Sequence, residues 1–171
     1  KAFLRWYWQE TEQAGNPPTS KVKAPRVALE PLEPVELEQV QALVKICDKS
    51  ITGLRDKAIF YTLLDTGLRA SELLALEVDD MDLTTGATIV RRSKSGKRRT
   101  VFLSQATRRA IRAYLKLRVD DTSSLFATDE GTRLSYWGLR TLLERRASLA
   151  GVAGVTLNRF RRAFALNMLR N

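Results

Sequence analysis

Two short β-branched stretches, Ala87-Thr88-Ile89-Val90 and Thr100-Val101-Phe102-Leu103, constrain the fold most. They flank a polar turn, so they pair as an antiparallel hairpin. Around them apolar residues recur at helical spacing. Leu37, Val40, Val44 and Cys47 place a helix after Pro34, and Cys47 reads as a small core residue rather than a nucleophile. Further helices are predicted from about Leu54 to Leu64, from near Ala70, and over Gln105–Leu117, Ser135–Ala150 and Leu157–Leu169. The fold class is mainly α with a small antiparallel β-hairpin or sheet.

The N-terminal part differs. Lys1 to Gln13 reads as one helix with an aromatic face of Phe3, Trp6 and Tyr7, stopped by Gly15-Asn16-Pro17-Pro18. Such a face needs a partner, so residues 1–14 read as the last helix of an upstream domain. Residues 15–34 read as a linker. Residues 35–171 form the main domain, and 171 residues suffice for one well-packed core. The chain does not begin with Met and is expected to be a fragment. It shows no signal-peptide pattern and no apolar run long enough for a bilayer. With a single cysteine there is no internal disulfide, and the cytoplasm is the expected compartment.

Charge narrows the partner. The chain carries 29 Lys and Arg against 19 Asp and Glu, a net charge of +10. The excess clusters. Six basic residues lie in the hairpin turn (Arg91, Arg92, Lys94, Lys97, Arg98 and Arg99), and Arg159, Arg161, Arg162 and Arg170 follow near the end. Solubility alone requires no clustering, whereas a polyanion does. The hairpin is not an amphipathic helix, which disfavours a membrane surface. Double-stranded DNA is the expected partner.

Three segments in order carry the chemistry: Thr66-Gly67-Leu68-Arg69-Ala70-Ser71-Glu72-Leu73, the basic hairpin, and Asn158-Arg159-Phe160-Arg161-Arg162-Ala163-Phe164-Ala165. They place an Arg, a Lys and a second Arg on separate elements, able to converge on one phosphate. Over about residues 33–171 this set resembles the catalytic domain of tyrosine recombinases, the family of phage integrases and Xer-type recombinases. The residues before it look like that family's inter-domain segment, and residues 1–14 like the end of its core-binding domain.

The resemblance implies roles. Arg69 corresponds to the arginine that clamps the scissile phosphate; taken alone, it also reads as a surface partner of Glu72, three residues on. Glu72 then orients the arginine or caps the helix. Lys94 corresponds to the general acid that protonates the departing 5′ oxygen, with Lys97 as the alternative. Arg161 corresponds to the second clamping arginine, so that two guanidiniums bind the non-bridging oxygens and stabilise the phosphorane. Asn158 stands where the family has His or Lys, and an amide cannot accept a proton near neutrality. Arg91, Arg92, Lys97, Arg98, Arg99, Arg159 and Arg162 are expected DNA contacts.

The family's nucleophilic tyrosine lies downstream of the second box. Tyr7, Tyr61, Tyr114 and Tyr136 all precede it and read as packing. This fragment is therefore expected to be inactive by itself, monomeric in isolation, and part of an enzyme that is tetrameric on DNA. No cofactor or metal is implied. The acidic cluster Asp79, Asp80 and Asp82 reads as turn capping rather than a magnesium site, and no Cys/His set exists for zinc. The expected activity is site-specific recombination through a 3′-phosphotyrosine. The alternatives are a DNA-binding protein that keeps the fold without the chemistry, and a relaxing enzyme akin to type IB topoisomerases. An RNA-binding module is the weakest reading.

Overall fold

The computed structural model describes residues 2–22, 33–91 and 98–170. The chain divides into two units, Lys1–Pro31 and Leu32–Asn171. In the first, helix α1 (Ala2–Glu10) buries none of its residues. Phe3 lies 5.8 Å from Trp6 and 6.4 Å from Tyr7, ring to ring. The helix stops short of Gln13. Glu12 adopts a left-handed φ of 49°, and the Trp8 indole N–H donates to the Gly15 carbonyl at 3.1 Å. A short 3-10 turn follows at Pro18–Lys21.

The second unit holds α2 (Leu37–Lys45), α3 (Ile51–Thr66), α4 (Ala70–Leu74), β1 (Ala87–Val90), β2 (Arg99–Phe102), α5 (Gln105–Leu117), α6 (Tyr136–Leu149) and α7 (Leu157–Arg170). Helix α3 begins three residues before the predicted Leu54, because the Ser50 hydroxyl accepts the Gly53 N–H at 3.1 Å and caps it there. Ser104 and Ser135 cap α5 and α6 in the same way. The strands pair antiparallel, with Ala87 opposite Phe102 and Val90 opposite Arg99. No helix among the described residues is long and apolar enough to cross a membrane.

Helix α3 is the axis of the core, packed against α2, α5 and α7. Leu43, Ile59, Phe60, Leu63, Ile111, Leu139 and Phe160 are fully buried around it. Phe60 of α3 stacks on Phe160 of α7 with ring centroids 6.1 Å apart and planes 11° from parallel. Burial of each such side chain stabilises the fold by roughly 1.5–3 kcal/mol. The stack sets the rotation of α7, and so the side on which its arginines emerge. Tyr114 of α5 stacks on Phe126, and its hydroxyl accepts the Ala127 N–H at 3.1 Å.

A buried ionic cluster ties α3 to α6. The Asp56 carboxylate accepts from Arg146 Nε at 2.8 Å and pairs with Arg55 at 3.2 Å. Arg55 also donates to the Ala127 carbonyl at 2.9 Å. Beside this cluster Cys47 packs against the core, and burial pushes its thiol up to about 11 despite the nearby Arg146 guanidinium. Such a thiol is almost wholly protonated at neutral pH.

Candidate functional site

Gly67 ends α3 in the left-handed conformation, with φ +56° and its N–H bonded to the Leu63 carbonyl at 3.0 Å. A Cβ there would sit 2.4 Å from the Phe164 ring of α7. Glycine therefore serves both the turn and the close approach of α7. The chain then reverses through buried Leu68 and exposes Arg69 at the N-cap of α4. Glu72, three residues on, reaches back to accept the Arg69 N–H at 2.9 Å, half of a capping box.

Glu72 is 2% exposed and gathers arginines from three elements. Arg69 Nη1 donates to its Oε1 at 3.0 Å. Arg99, at the start of β2, forks onto both carboxylate oxygens at 3.0 and 2.8 Å. Arg161 of α7 approaches Oε2 at 4.0 Å and donates to the Gly67 carbonyl at 2.9 Å. Burial alone would raise the Glu72 pKa. The Arg99 hydrogen bonds and the Arg69 amide outweigh it and hold the carboxyl at about 2. The carboxylate is thus a fixed anion around which the cations are set.

The Arg69 and Arg161 side chains remain 43% and 40% exposed. Both line a cavity of about 570 Å³ together with Ser71, Tyr136, Arg140, Glu144, Thr156 and Asn158. Two residues predicted to share a site, from α4 and α7, are thereby brought together, and Asn158 joins them at the wall. Tyr136 differs from its expected packing role. It is half exposed at the start of α6, edge-on to Trp137 at 5.8 Å and 74°. Arg140 pairs with Glu144 at 2.7 Å and lies 5.8 Å from the Trp137 ring. That pairing is spaced i,i+4, a signal the sequence offers. Its place on the cavity is set by the fold.

The other predicted contacts divide. Lys94, Arg92 and Lys97 lie outside the described residues. Arg98 is exposed beside β2. Arg91 pairs with Glu77 at 3.2 Å and with buried Asp80. Arg99 is turned onto Glu72. Arg159 donates to the carbonyls of Glu33, Pro34 and Gly154 at 2.8–3.2 Å, bracing α7 against the segment that precedes α2. Arg162 is half-buried on α7. The acidic cluster is occupied by its own backbone. Asp82 accepts from Thr84 and Thr85 N–H at 2.7 and 3.3 Å, and Asp80 accepts the Glu77 N–H at 3.0 Å.

Of the remaining tyrosines, Tyr114 is buried and Tyr61 packs partly buried against the core. Tyr7 belongs to the N-terminal unit.

Residues 34–171 match the Phage integrase family. The tyrosine recombinase XerA of Thermococcus kodakarensis is 35% identical over 152 residues, which cover 87% of this chain and 53% of the relative. A putative tyrosine recombinase of Caldanaerobacter subterraneus is 31% identical over 179 residues, covering 100% and 59%. The chain thus spans between half and three-fifths of these relatives. A crystal structure of XerA recombinase superposes with a TM-score of 0.70 at 27% identity, over 81% of this chain and 51% of that one. The Tn1549 transposon integrase in complex with circular-intermediate DNA gives 0.77 at 19% identity, over 99% and 63%, a likeness of fold. With a match that spans the whole of α2 to α7, the chain belongs to the phage integrase family, the tyrosine recombinases.

Proposed function

We propose that the protein bearing this chain carries out site-specific recombination or integration of double-stranded DNA. In this reading a tyrosine oxygen attacks the scissile phosphorus and the bond to the 5′ oxygen breaks. The energy is kept as a 3′-phosphotyrosine, which the 5′ hydroxyl of a partner strand later reverses. Arg69 and Arg161 bind the non-bridging oxygens and stabilise the charge of the phosphorane. Lys94 supplies the proton to the departing oxygen. Asn158 donates a hydrogen bond to a phosphate oxygen and takes no proton. The nucleophile is a tyrosine beyond residue 171, and the full enzyme works as a tetramer on DNA while this chain alone is monomeric. The carrying observation is the convergence of Arg69 and Arg161, 92 residues apart in sequence, on the wall of one cavity.

A second reading, a DNA-binding protein without cleavage, is favoured by Asn158 in place of a proton-accepting side chain. A suicide duplex separates the two. A covalent protein–DNA adduct is expected from the full-length protein and not from residues 1–171. No adduct from the full-length protein promotes the second reading. An adduct from residues 1–171 that maps to Tyr136, at the cavity wall, would move the nucleophile into this chain. For either reading, duplex affinity falls with salt with a log–log slope of about −0.9 per phosphate neutralised. A slope near zero removes DNA as the partner.

A further inference from the structure

Arg99 sits in the most basic run of the chain, yet its guanidinium turns inward. It forms a side-on fork with Glu72, Nη1 to Oε1 at 3.0 Å and Nη2 to Oε2 at 2.8 Å. The same carboxylate accepts Arg69 Nη1 at 3.0 Å and the Arg69 N–H at 2.9 Å. Each oxygen thus receives two hydrogen bonds, close to its capacity. One buried negative charge is shared by arginines at the cavity wall and one at the start of β2.

The charge balance decides what Arg99 does. With Arg99 in its fork, Glu72 is neutralised from the β2 side, and the positive charge of Arg69 and Arg161 remains available to the cavity. Without it, a nearly inaccessible carboxylate has Arg69 and Arg161, 4.0 Å away, as its partners among these arginines. A buried anion in low dielectric draws such cations strongly. Arg161 would be pulled inward and Arg69, already bonded at 3.0 Å, held more tightly, away from a phosphate. The opposite arm of the hairpin is moored too, since Arg91 holds Glu77 and buried Asp80. β1 and β2 are therefore each held on carboxylates at the end next to residues 92–97.

We propose that Arg99 is a positioning residue of the phosphate clamp. By neutralising Glu72 it leaves Arg69 and Arg161 directed at the scissile phosphate, and it fixes the β2 arm of the basic hairpin to α4. This rests on the reading of the cavity as a strand-cleavage site.

The test uses the full-length recombinase with Arg99→Ala and Arg99→Lys. Duplex affinity against salt and the rate of covalent adduct formation at saturating suicide DNA are measured together. The salt slope is expected to stay at the wild-type value while the rate falls about 10- to 100-fold, the scale for an ångström of misplacement. Arg99→Lys should recover little of the rate, since an ammonium cannot reproduce the fork. Adding Glu72→Gln to Arg99→Ala should restore part of it, because a neutral amide no longer draws Arg69 inward. The inference is overturned if the slope drops by about 0.9 with the rate unchanged, the signature of a lost phosphate anchor. It is equally overturned if Arg99→Lys cleaves at the wild-type rate. A wild-type protein that forms no adduct defeats the cleavage reading itself and takes this inference with it, a result distinct from either of the others.

Discussion

Glu72 and Asp56 are both closed off from solvent and both ringed by arginines, yet they serve opposite ends. Around Asp56, the hydrogen-bonded Arg55 and Arg146 side chains are only 9% exposed, and the exposed Arg145 stands further off at 3.8 Å. They spend donors on backbone as well, Arg55 on the Ala127 carbonyl and Arg146 on that of Ile46. Burial pushes the Asp56 pKa up against the pull of Arg146 and Arg55. Around Glu72 the partners stay partly exposed on one side, and the carboxyl is driven down. A closed cluster locks two helices together. A cluster open on one side leaves its guanidiniums exposed to the cavity, where the proposed function seats a phosphate. Residue types do not distinguish the two; the exposure of the guanidiniums hydrogen-bonded to each carboxylate does.

The largest effect should come from breaking the closed cluster. Asp56→Ala leaves Arg146 buried without the carboxylate it bonds and Arg55 with only the exposed Asp129, at an expected cost of about 3–5 kcal/mol in unfolding free energy. Arg69→Ala, a half-exposed pair, should cost no more than about 1 kcal/mol in the same measurement. Urea denaturation of the two variants provides the check. Equal losses would mean that the two clusters are equally structural, and the distinction would collapse.

Cleavage should invert that order. In the full-length protein, Arg69→Ala or Arg161→Ala is expected to raise the barrier to covalent adduct formation by about 3–4 kcal/mol, the scale for one oxyanion donor. Duplex binding should weaken far less, because other basic residues hold the backbone. Binding and cleavage that fall by the same factor would make both arginines anchors and nothing more.

What the sequence disclosed follows the reach of each interaction. The Gly67-Leu68-Arg69 turn and Glu72 lie within six residues, and Arg161 belongs to a recognisable box, so the two arginines that meet at one cavity were legible. Helix positions were legible from apolar spacing, whereas the start of α3 is set by the Ser50 cap, three residues before the first apolar position read as helical. The partners of Arg99, Arg146 and Arg159 were not legible. Their contacts span 27, 90 and 125 residues, and a surplus of arginine near any site reads simply as affinity for a polyanion. The same holds for Tyr136, whose place at the cavity depends on how α6 lies beside α4 and α7.

Acid should expose the smallest of these differences. The folded Glu72 carboxyl titrates at about 2, below its ordinary value of 4.5. Between those values the unfolded chain binds the proton more readily than the folded one. The stability this group contributes is therefore complete above about pH 4.5 and is lost as pH falls toward 2, amounting to about 3 kcal/mol. Asp56 has the opposite sign, since its raised pKa lets the folded state take up a proton first. Urea midpoints recorded from pH 6 to pH 2.5 should fall steeply for the wild type. Glu72→Gln should flatten that acid limb, because its amide does not titrate, and Asp56→Asn should steepen it, because it removes a group whose protonation favours the folded state. If Asp56→Asn flattens the limb and Glu72→Gln does not, the acid-sensitive anion is the one in the closed cluster. The open cluster would then not be the fixed negative centre that keeps Arg69 and Arg161 in place.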